Sequence, residues 1–221
     1  MDTGVILWTA AALLALVVAI GLAWRCAALP CPSWLIPLLE NPYFEAVAGA
    51  ERLLGRAGIG PGMQVLDAGC GPGRLTLPAA DRVGPAGAVV ALDIQPRMLA
   101  ELERRRKRLG AGNVETIQAG LGEGRLPSAR FDRAFLVAVL GEVPDRPAAL
   151  REIRRSLKPG GILSITEVLP DPHYQRLSKL RSLAGRVGFR EVGVFRGLLA
   201  YTANFERADG PAEPPDPNLR S

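Results

Sequence analysis

Apolar residues along this chain fall in short runs that end abruptly in glycine or a carboxylate, separated by stretches in which they recur at helical spacing. The runs near 63–67, 87–93, 113–118, 131–137, 160–168, 189–195 and 198–206 have the length and branched content of buried strands. Helical spacing fills the intervals between the first five and returns at 42–57 and near 172–187. Alternating strand and helix predicts a parallel sheet with right-handed crossovers and a ligand at the carboxyl ends of the strands.

One stretch departs from this pattern. From Thr3 to Trp24 there is no charged residue, and the run is apolar on every helical face. As a helix it would span about 30 Å, the depth of a bilayer core. A cleaved signal peptide is the competing reading, but Met1-Asp2 supplies no basic residue ahead of the run. The pattern therefore predicts a transmembrane anchor over residues 1–24. Arg25 follows it directly, with no basic residue on the other side, which predicts a single-pass membrane protein with the following domain in the cytoplasm. Residues 25–41 hold three prolines and Trp34, and read either as an interfacial segment or as a linker packed on the domain. The domain itself is expected over 42–208, and 209–221, with four prolines and no apolar pattern, reads as a mobile tail.

Composition narrows the chemistry. The formal net charge is +5, from 27 basic and 22 acidic residues, and Arg104-Arg105-Arg106-Lys107-Arg108 is the densest basic run. It closes an amphipathic helix that begins near Pro96, where the helix dipole favours cations, so a solvated helix end competes with contact to anionic headgroups. No aromatic and basic interleaving and no appended RNA-binding module appear, so no nucleic-acid partner is expected. Three cysteines, Cys26, Cys31 and Cys70, form neither a C-x-x-C pair nor a disulfide framework. The chain's only histidine, His173, excludes a histidine-rich metal site, and no G-x-S-x-G elbow supports a serine hydrolase.

The chemistry-bearing signal is Val65-Leu66-Asp67-Ala68-Gly69-Cys70-Gly71-Pro72-Gly73-Arg74-Leu75-Thr76, an apolar run that ends in an acid and then in alternating glycines. It reads as strand, tight turn and helix start, a loop able to approach a ligand closely and to hold an anion. One helix later, Ala88-Val89-Val90-Ala91-Leu92-Asp93-Ile94 ends a strand in a single carboxylate, placed to grip the two hydroxyls of a ribose. Asp93 alone does not separate a nicotinamide dinucleotide from S-adenosylmethionine.

The glycine pattern resembles the first motif of the class I S-adenosylmethionine-dependent methyltransferases, and Leu92-Asp93-Ile94 with Pro96, Met98 and Leu99 resembles the second. Phe131 to Val137 with the exit through Val143-Pro144-Asp145 is similar to that family's fourth strand and loop. Leu150-Arg151-Glu152-Ile153 with Leu157-Lys158-Pro159-Gly160-Gly161 resembles the helix, turn and fifth strand that follow. The resemblance covers residues 63–168. It implies a Rossmann-like, seven-stranded, mostly parallel sheet with helices on both faces, whose last strand inserts antiparallel between the fifth and sixth. The cofactor implied is S-adenosylmethionine. Asp67, Gly69 and Gly71 would face its methionine end, with Gly73 completing the loop. Asp93 would take the ribose, Ile94 would pack on adenine, and the backbone near Leu136 and Val137 would hold the amino group. One departure stands out: where the family usually shows Gly-Asp after the third strand, this chain has Ala119-Gly120-Leu121-Gly122-Glu123, which leaves Leu121, Glu123 or backbone carbonyls to meet the adenine.

Methyl transfer needs alignment more than acid or base groups, so few catalytic side chains are expected. Glu142 and Glu167 at strand ends, and His173 and Tyr174 beyond the fifth strand, are the candidates for the acceptor side, with Tyr201 and Asn204 from the last strand. His173 leads because a neutral imidazole can accept a proton near pH 7. Each has a plainer reading as a polar group satisfied by its own loop. Two function classes follow. The first is a membrane-anchored enzyme methylating a small hydrophobic or lipid-like acceptor. The second is a non-catalytic cofactor-binding or scaffolding protein, with RNA and protein acceptors ranked behind both. Oligomeric state is open.

Overall fold

A computed structural model describes residues 40–208 continuously, together with residues 4, 8, 9, 12, 31, 32 and 36. Its frame is one seven-stranded sheet in the order β3-β2-β1-β4-β5-β7-β6. The strands are β1 (Gln64–Ala68), β2 (Ala88–Asp93), β3 (Val114–Gln118), β4 (Phe131–Val137), β5 (Leu157–Val168), β6 (Phe189–Arg196) and β7 (Ala200–Arg207). The first five pair in parallel, while β7 runs antiparallel to both β5 and β6. The Rossmann-like expectation, including the inserted last strand, is borne out, but the helix expected between β3 and β4 is absent: residues 119–130 form turns and loop, with Gly122 and Gly124 at positive φ and Pro127 unable to donate to a helical ladder.

Helices α1 (Pro42–Ala48), α2 (Ala50–Arg56), α3 (Thr76–Val83), α4 (Pro96–Leu109), α5 (Arg146–Ser156) and α6 (Leu177–Arg186) complete the fold. Two buried clusters occupy the two faces of the sheet. One gathers Leu66, Leu136, Leu150, Ile153 and Phe205, and the other Leu53, Leu54, Val65, Val89 and Phe135. Neighbouring strand residues such as Val65 and Leu66 go to opposite clusters, which explains why these strands read as continuous apolar runs rather than alternating ones.

Several boundaries differ from the sequence reading. The helix predicted over 42–57 is two helices, because Gly49 takes an extended conformation and a β-carbon there would meet the Glu45 carbonyl oxygen at 2.5 Å. The helix predicted from about 172 starts only at Leu177; Asp171 to Arg176 form an irregular loop, with Pro170 and Pro172 unable to donate to a helical ladder. β5 begins at Leu157, earlier than expected, and pairs with Phe131 before a bulge between Phe131 and Arg133.

The membrane expectation is corrected. Among the described residues no helix is long and apolar enough to cross a membrane. The run 3–24 on which the single-pass, cytoplasm-facing reading rested lies, except for residues 4, 8, 9 and 12, outside the described residues. Hydropathy measures what a segment gains by leaving water and not what covers it, so an apolar run is not by itself a span. Cys26, Trp34 and the proposed tail 209–221 also lie outside the described residues.

Candidate active site

The carboxyl ends of β1, β2, β4 and β5 meet around a cleft of about 930 Å³. That is near the top of the roughly 300–1,000 Å³ range of small-molecule sites. Of the residues singled out by sequence, Asp67, Gly69, Gly71, Asp93, Ile94, Leu121, Val137, Glu142 and His173 line it. Leu136 is buried in the core between Leu66 and Ile165, Gly73 lines a smaller adjoining hollow of about 270 Å³, and Glu167 lies outside the lining. Tyr201 and Asn204 are also set back: the Tyr201 hydroxyl donates to the Gln175 carbonyl at 2.7 Å, and the Asn204 amide donates to the Arg56 carbonyl at 2.7 Å.

The glycine turn is shaped by its surroundings. Gly71 sits at φ 53°, and a β-carbon there would meet nothing within 4 Å, so the loop presents an open side to the cleft. Gly69, at φ 76°, is packed under Val139, and Gly73, at φ 91°, under Leu102; both lack room for a side chain. Asp67 is buried and accepts a 2.6 Å bond from the Thr76 hydroxyl, and burial raises its pKa to about 6. Asp93 accepts from the Gly71 N–H at 2.9 Å and from the Gln95 N–H at 2.8 Å, one bond to each carboxylate oxygen. Asp93 lines the cleft. An open glycine side beside a strand-end carboxylate is a cradle into which a nucleoside with an amino-acid tail fits.

Within the turn itself, Gly69 and Cys70 both donate to the Leu92 carbonyl, Gly71 to Asp93, and Gly73 to the Cys70 carbonyl.

On the β4–β5 side, Ala138 takes a left-handed φ of 54° and turns the chain into a short 3₁₀ segment, Leu140–Glu142. This delivers Glu142 to the cleft, where burial raises its pKa to about 8 against the stabilising Cys31 N–H bond at 3.2 Å. His173 is buried, with its backbone N–H donating to Asp171 at 2.7 Å and its Nδ1 3.7 Å from the same carboxylate oxygen. Glu167 is 1% exposed, and burial raises its pKa to about 8. One of its oxygens accepts the Gln175 N–H at 3.0 Å, and the other has no hydrogen-bond partner.

Glu167 yields a pH prediction. Between pH 4.5 and about 8 the folded protein keeps the Glu167 proton that the unfolded chain releases, so stability falls as pH rises through that window. Glu167→Gln is expected to remove this part of the slope, leaving the variant more stable than wild type at pH 8.5 by roughly 1–3 kcal/mol and little different at pH 5. Urea unfolding at the two pH values measures it; parallel pH profiles for the two proteins would refute the assignment.

Several residues at the site were given no site role by the sequence. Glu152 of α5 is buried and accepts the Gly122 N–H at 2.6 Å and the Leu126 N–H at 2.9 Å, fixing the loop after β3 that lacks the usual aspartate. Cys31 crosses the cleft mouth, with its carbonyl accepting from the Gln95 side chain at 2.8 Å and its N–H donating to Glu142. Tyr43 and Phe44 of α1 add aromatic wall, and the Tyr43 hydroxyl donates to the Leu169 carbonyl. These contacts join residues remote in sequence, where only the fold supplies the proximity.

A mostly parallel sheet with this strand order, a glycine turn after β1 and an acid closing β2 is the class I methyltransferase architecture. It superposes on a SAM-dependent methyltransferase from Aquifex aeolicus with a TM-score of 0.76 at 24% identity, covering 81% of this chain and 100% of that one. A family model described as a methyltransferase domain matches residues 59–185, and the chain belongs to that family, whose methyl donor is S-adenosylmethionine. Nocamycin O-methyltransferase from Saccharothrix syringae is 36% identical over 133 residues, 59% of this chain and 46% of the relative. A ubiquinone/menaquinone biosynthesis C-methyltransferase from Shewanella sp. (strain ANA-3) is 37% identical over 128 residues, 58% of this chain and 51% of the relative. The chain thus spans about half the length of the curated relatives it matches.

Proposed function

We propose that this protein transfers a methyl group from S-adenosylmethionine to a small, largely apolar acceptor held in the same cleft. The observation that carries the reading is the cleft's two-sided make-up: glycine turn and Asp93 toward β1 and β2, and Tyr43, Val139, Val143, Pro170 and Pro172 toward β4 and β5. Its volume has room for a nucleoside and a second small molecule together. The names of the matched relatives, an O-methyltransferase and a quinone C-methyltransferase, support an acceptor of this kind.

The residues suited to hold the cofactor are Asp93 for the ribose hydroxyls, Gly69 and Gly71 for close approach of the amino-acid tail, and the backbone of Val137 for the amino group, Leu136 being buried away from the cleft. Ile94, 53% exposed at the cleft wall, offers an apolar face to the adenine, with Leu121 and Glu123 at its edge. When bound, the cofactor supplies a sulfonium-activated methyl group. The chain's part is to align the acceptor, exclude water and receive a proton. Alignment of this kind accounts for about 7–11 kcal/mol in favourable cases. Glu142, raised to about 8, is placed to take a proton from an acceptor hydroxyl or thiol near neutral pH, and His173 stands beside the same wall.

The test is transfer of isotopically labelled methyl from S-adenosylmethionine to an extracted small-molecule fraction, with products identified by mass. Label in an apolar product is the expected result. Cofactor binding with no transfer to any phenol, thiol, amine or quinol would favour the non-catalytic reading. For the reaction so found, Glu142→Gln should lower kcat at pH 7 by about 100-fold while changing cofactor affinity less than about threefold. A comparable loss of affinity would instead make Glu142 a binding residue.

A further inference from the structure

We propose that Arg146 is a positioning residue for the acceptor side of the cleft: its guanidinium braces the 3₁₀ segment Leu140–Glu142 and so holds the Glu142 carboxyl at the cleft wall. The inference deepens the reading of Glu142 as the group that receives the acceptor's proton, and rests on it.

The segment needs a brace because its own backbone is short of donors. After the left-handed turn at Ala138 only three residues are helical, and the chain leaves them in an extended conformation at Val143. The Glu142 N–H donates to the Val139 carbonyl at 2.9 Å, while the Val143 N–H reaches the Leu140 carbonyl only at 3.4 Å. The next donor in this series would serve the Gly141 carbonyl, but it falls at Pro144, which has no N–H. A short helix leaves its last carbonyls open, and they must be paired from outside.

Arg146 pairs both. Its Nε donates to the Leu140 carbonyl at 3.1 Å and its Nη2 to the Gly141 carbonyl at 2.8 Å, two prongs of one planar group. The root of the side chain is fixed, because Arg146 opens α5, whose N-cap Asp145 accepts the Ala148 N–H at 2.8 Å and whose Leu150 and Ile153 are buried in the core. The brace therefore ties the segment to a rigid helix. Glu142 is the last residue of that segment, and its carboxyl stands among Cys31, Asp171 and Asp93. Burial and the two aspartates raise its pKa, with the Cys31 N–H opposing them. The charge of Arg146 acts on a different carboxyl, that of Glu167 behind the cleft, where it works against the upward push of burial.

This division gives the test, an NMR titration of the carboxyl carbons in full-length protein carrying isotopically labelled glutamate, with Glu142→Gln and Glu167→Gln assigning the two resonances. In the wild type both should titrate near pH 8. Losing a cation by itself can only raise a nearby carboxyl, so in Arg146→Gln the Glu167 resonance should move up. Glu142 should move down by at least about one pH unit, roughly tenfold in proton affinity, because the unbraced segment lets its carboxyl reach water. General loosening of the fold would lower both resonances and overturns the proposal, as does a Glu142 that stays put or rises. Arg146→Lys keeps the charge but loses the fork, so Glu142 should fall by part of that amount with Glu167 unmoved. If Arg146→Gln does not fold, the lysine variant decides, and an unmoved Glu142 in it overturns the proposal. A wild-type Glu142 that titrates near the ordinary 4.5 is not held in the cleft at all, which overturns it without any Arg146 variant. Shifts as expected, combined with undiminished methyl transfer by Glu142→Gln, would uphold the brace and remove only the proton-accepting role.

Discussion

Asp93→Ala is expected to lower the affinity for S-adenosylmethionine by about 10³-fold. Two losses add. On the proposed cofactor placement the ribose hydroxyls would lose a charged acceptor, and charge-assisted hydrogen bonds are the stronger kind. In addition, the Gly71 and Gln95 N–H groups, at 2.9 and 2.8 Å from the two carboxylate oxygens, lose their partner, so the turn after β1 and the chain after β2 are no longer tied together. Asp93→Asn keeps one oxygen and should fall between the two. Titration calorimetry on folded protein measures the effect, and affinity within about threefold of wild type for the alanine variant would remove Asp93 from the ribose.

Gly141→Val should destabilise the fold by roughly 3–4 kcal/mol, with a corresponding loss of the acceptor side of the cleft. Gly141 belongs to the 3₁₀ segment after β4 and lies directly beneath the loop that carries His173. A β-carbon at Gly141 would overlap the His173 carbonyl oxygen, which is backbone and has no rotamer to escape into. That carbonyl also accepts the buried Gln175 side-chain amide at 2.6 Å, so pushing it aside leaves a buried donor unpaired on top of the overpacking cost. Urea unfolding gives the free energy. A loss under about 1 kcal/mol would mean that the loop after β5 moves aside easily, which the contact at Gly141 argues against.

The sequence was most legible where local chemistry and global position coincide. Strand β1 with its glycine turn, and β2 with Asp93, are runs whose apolar residues, turn glycines and terminal acids all follow from one requirement, a buried strand that ends at a cleft. The site on the β4–β5 side was legible only in part. Glu142 and His173 stood out as polar residues just past strands, and both line the cleft, whereas Glu167, chosen on the same ground, is set behind it under the loop that holds Gln175. Strand alternation tells which residues share a face but not which of two carboxyls a following loop will cover.

What the sequence by itself determined is the order of the strands, the mostly parallel sheet and the strand edge at which the cleft lies, because these depend on periodicity and on turn chemistry within a few residues. Only the tertiary structure decided how donors and charges are shared among remote segments. It spends the glycine-turn N–H groups on Leu92 and Asp93, brings Cys31 across to Gln95 and Glu142, and closes the aspartate-free loop after β3 on Glu152. Hydrogen bonding is a competition among all groups within reach, and reach is set by the fold rather than by spacing along the chain.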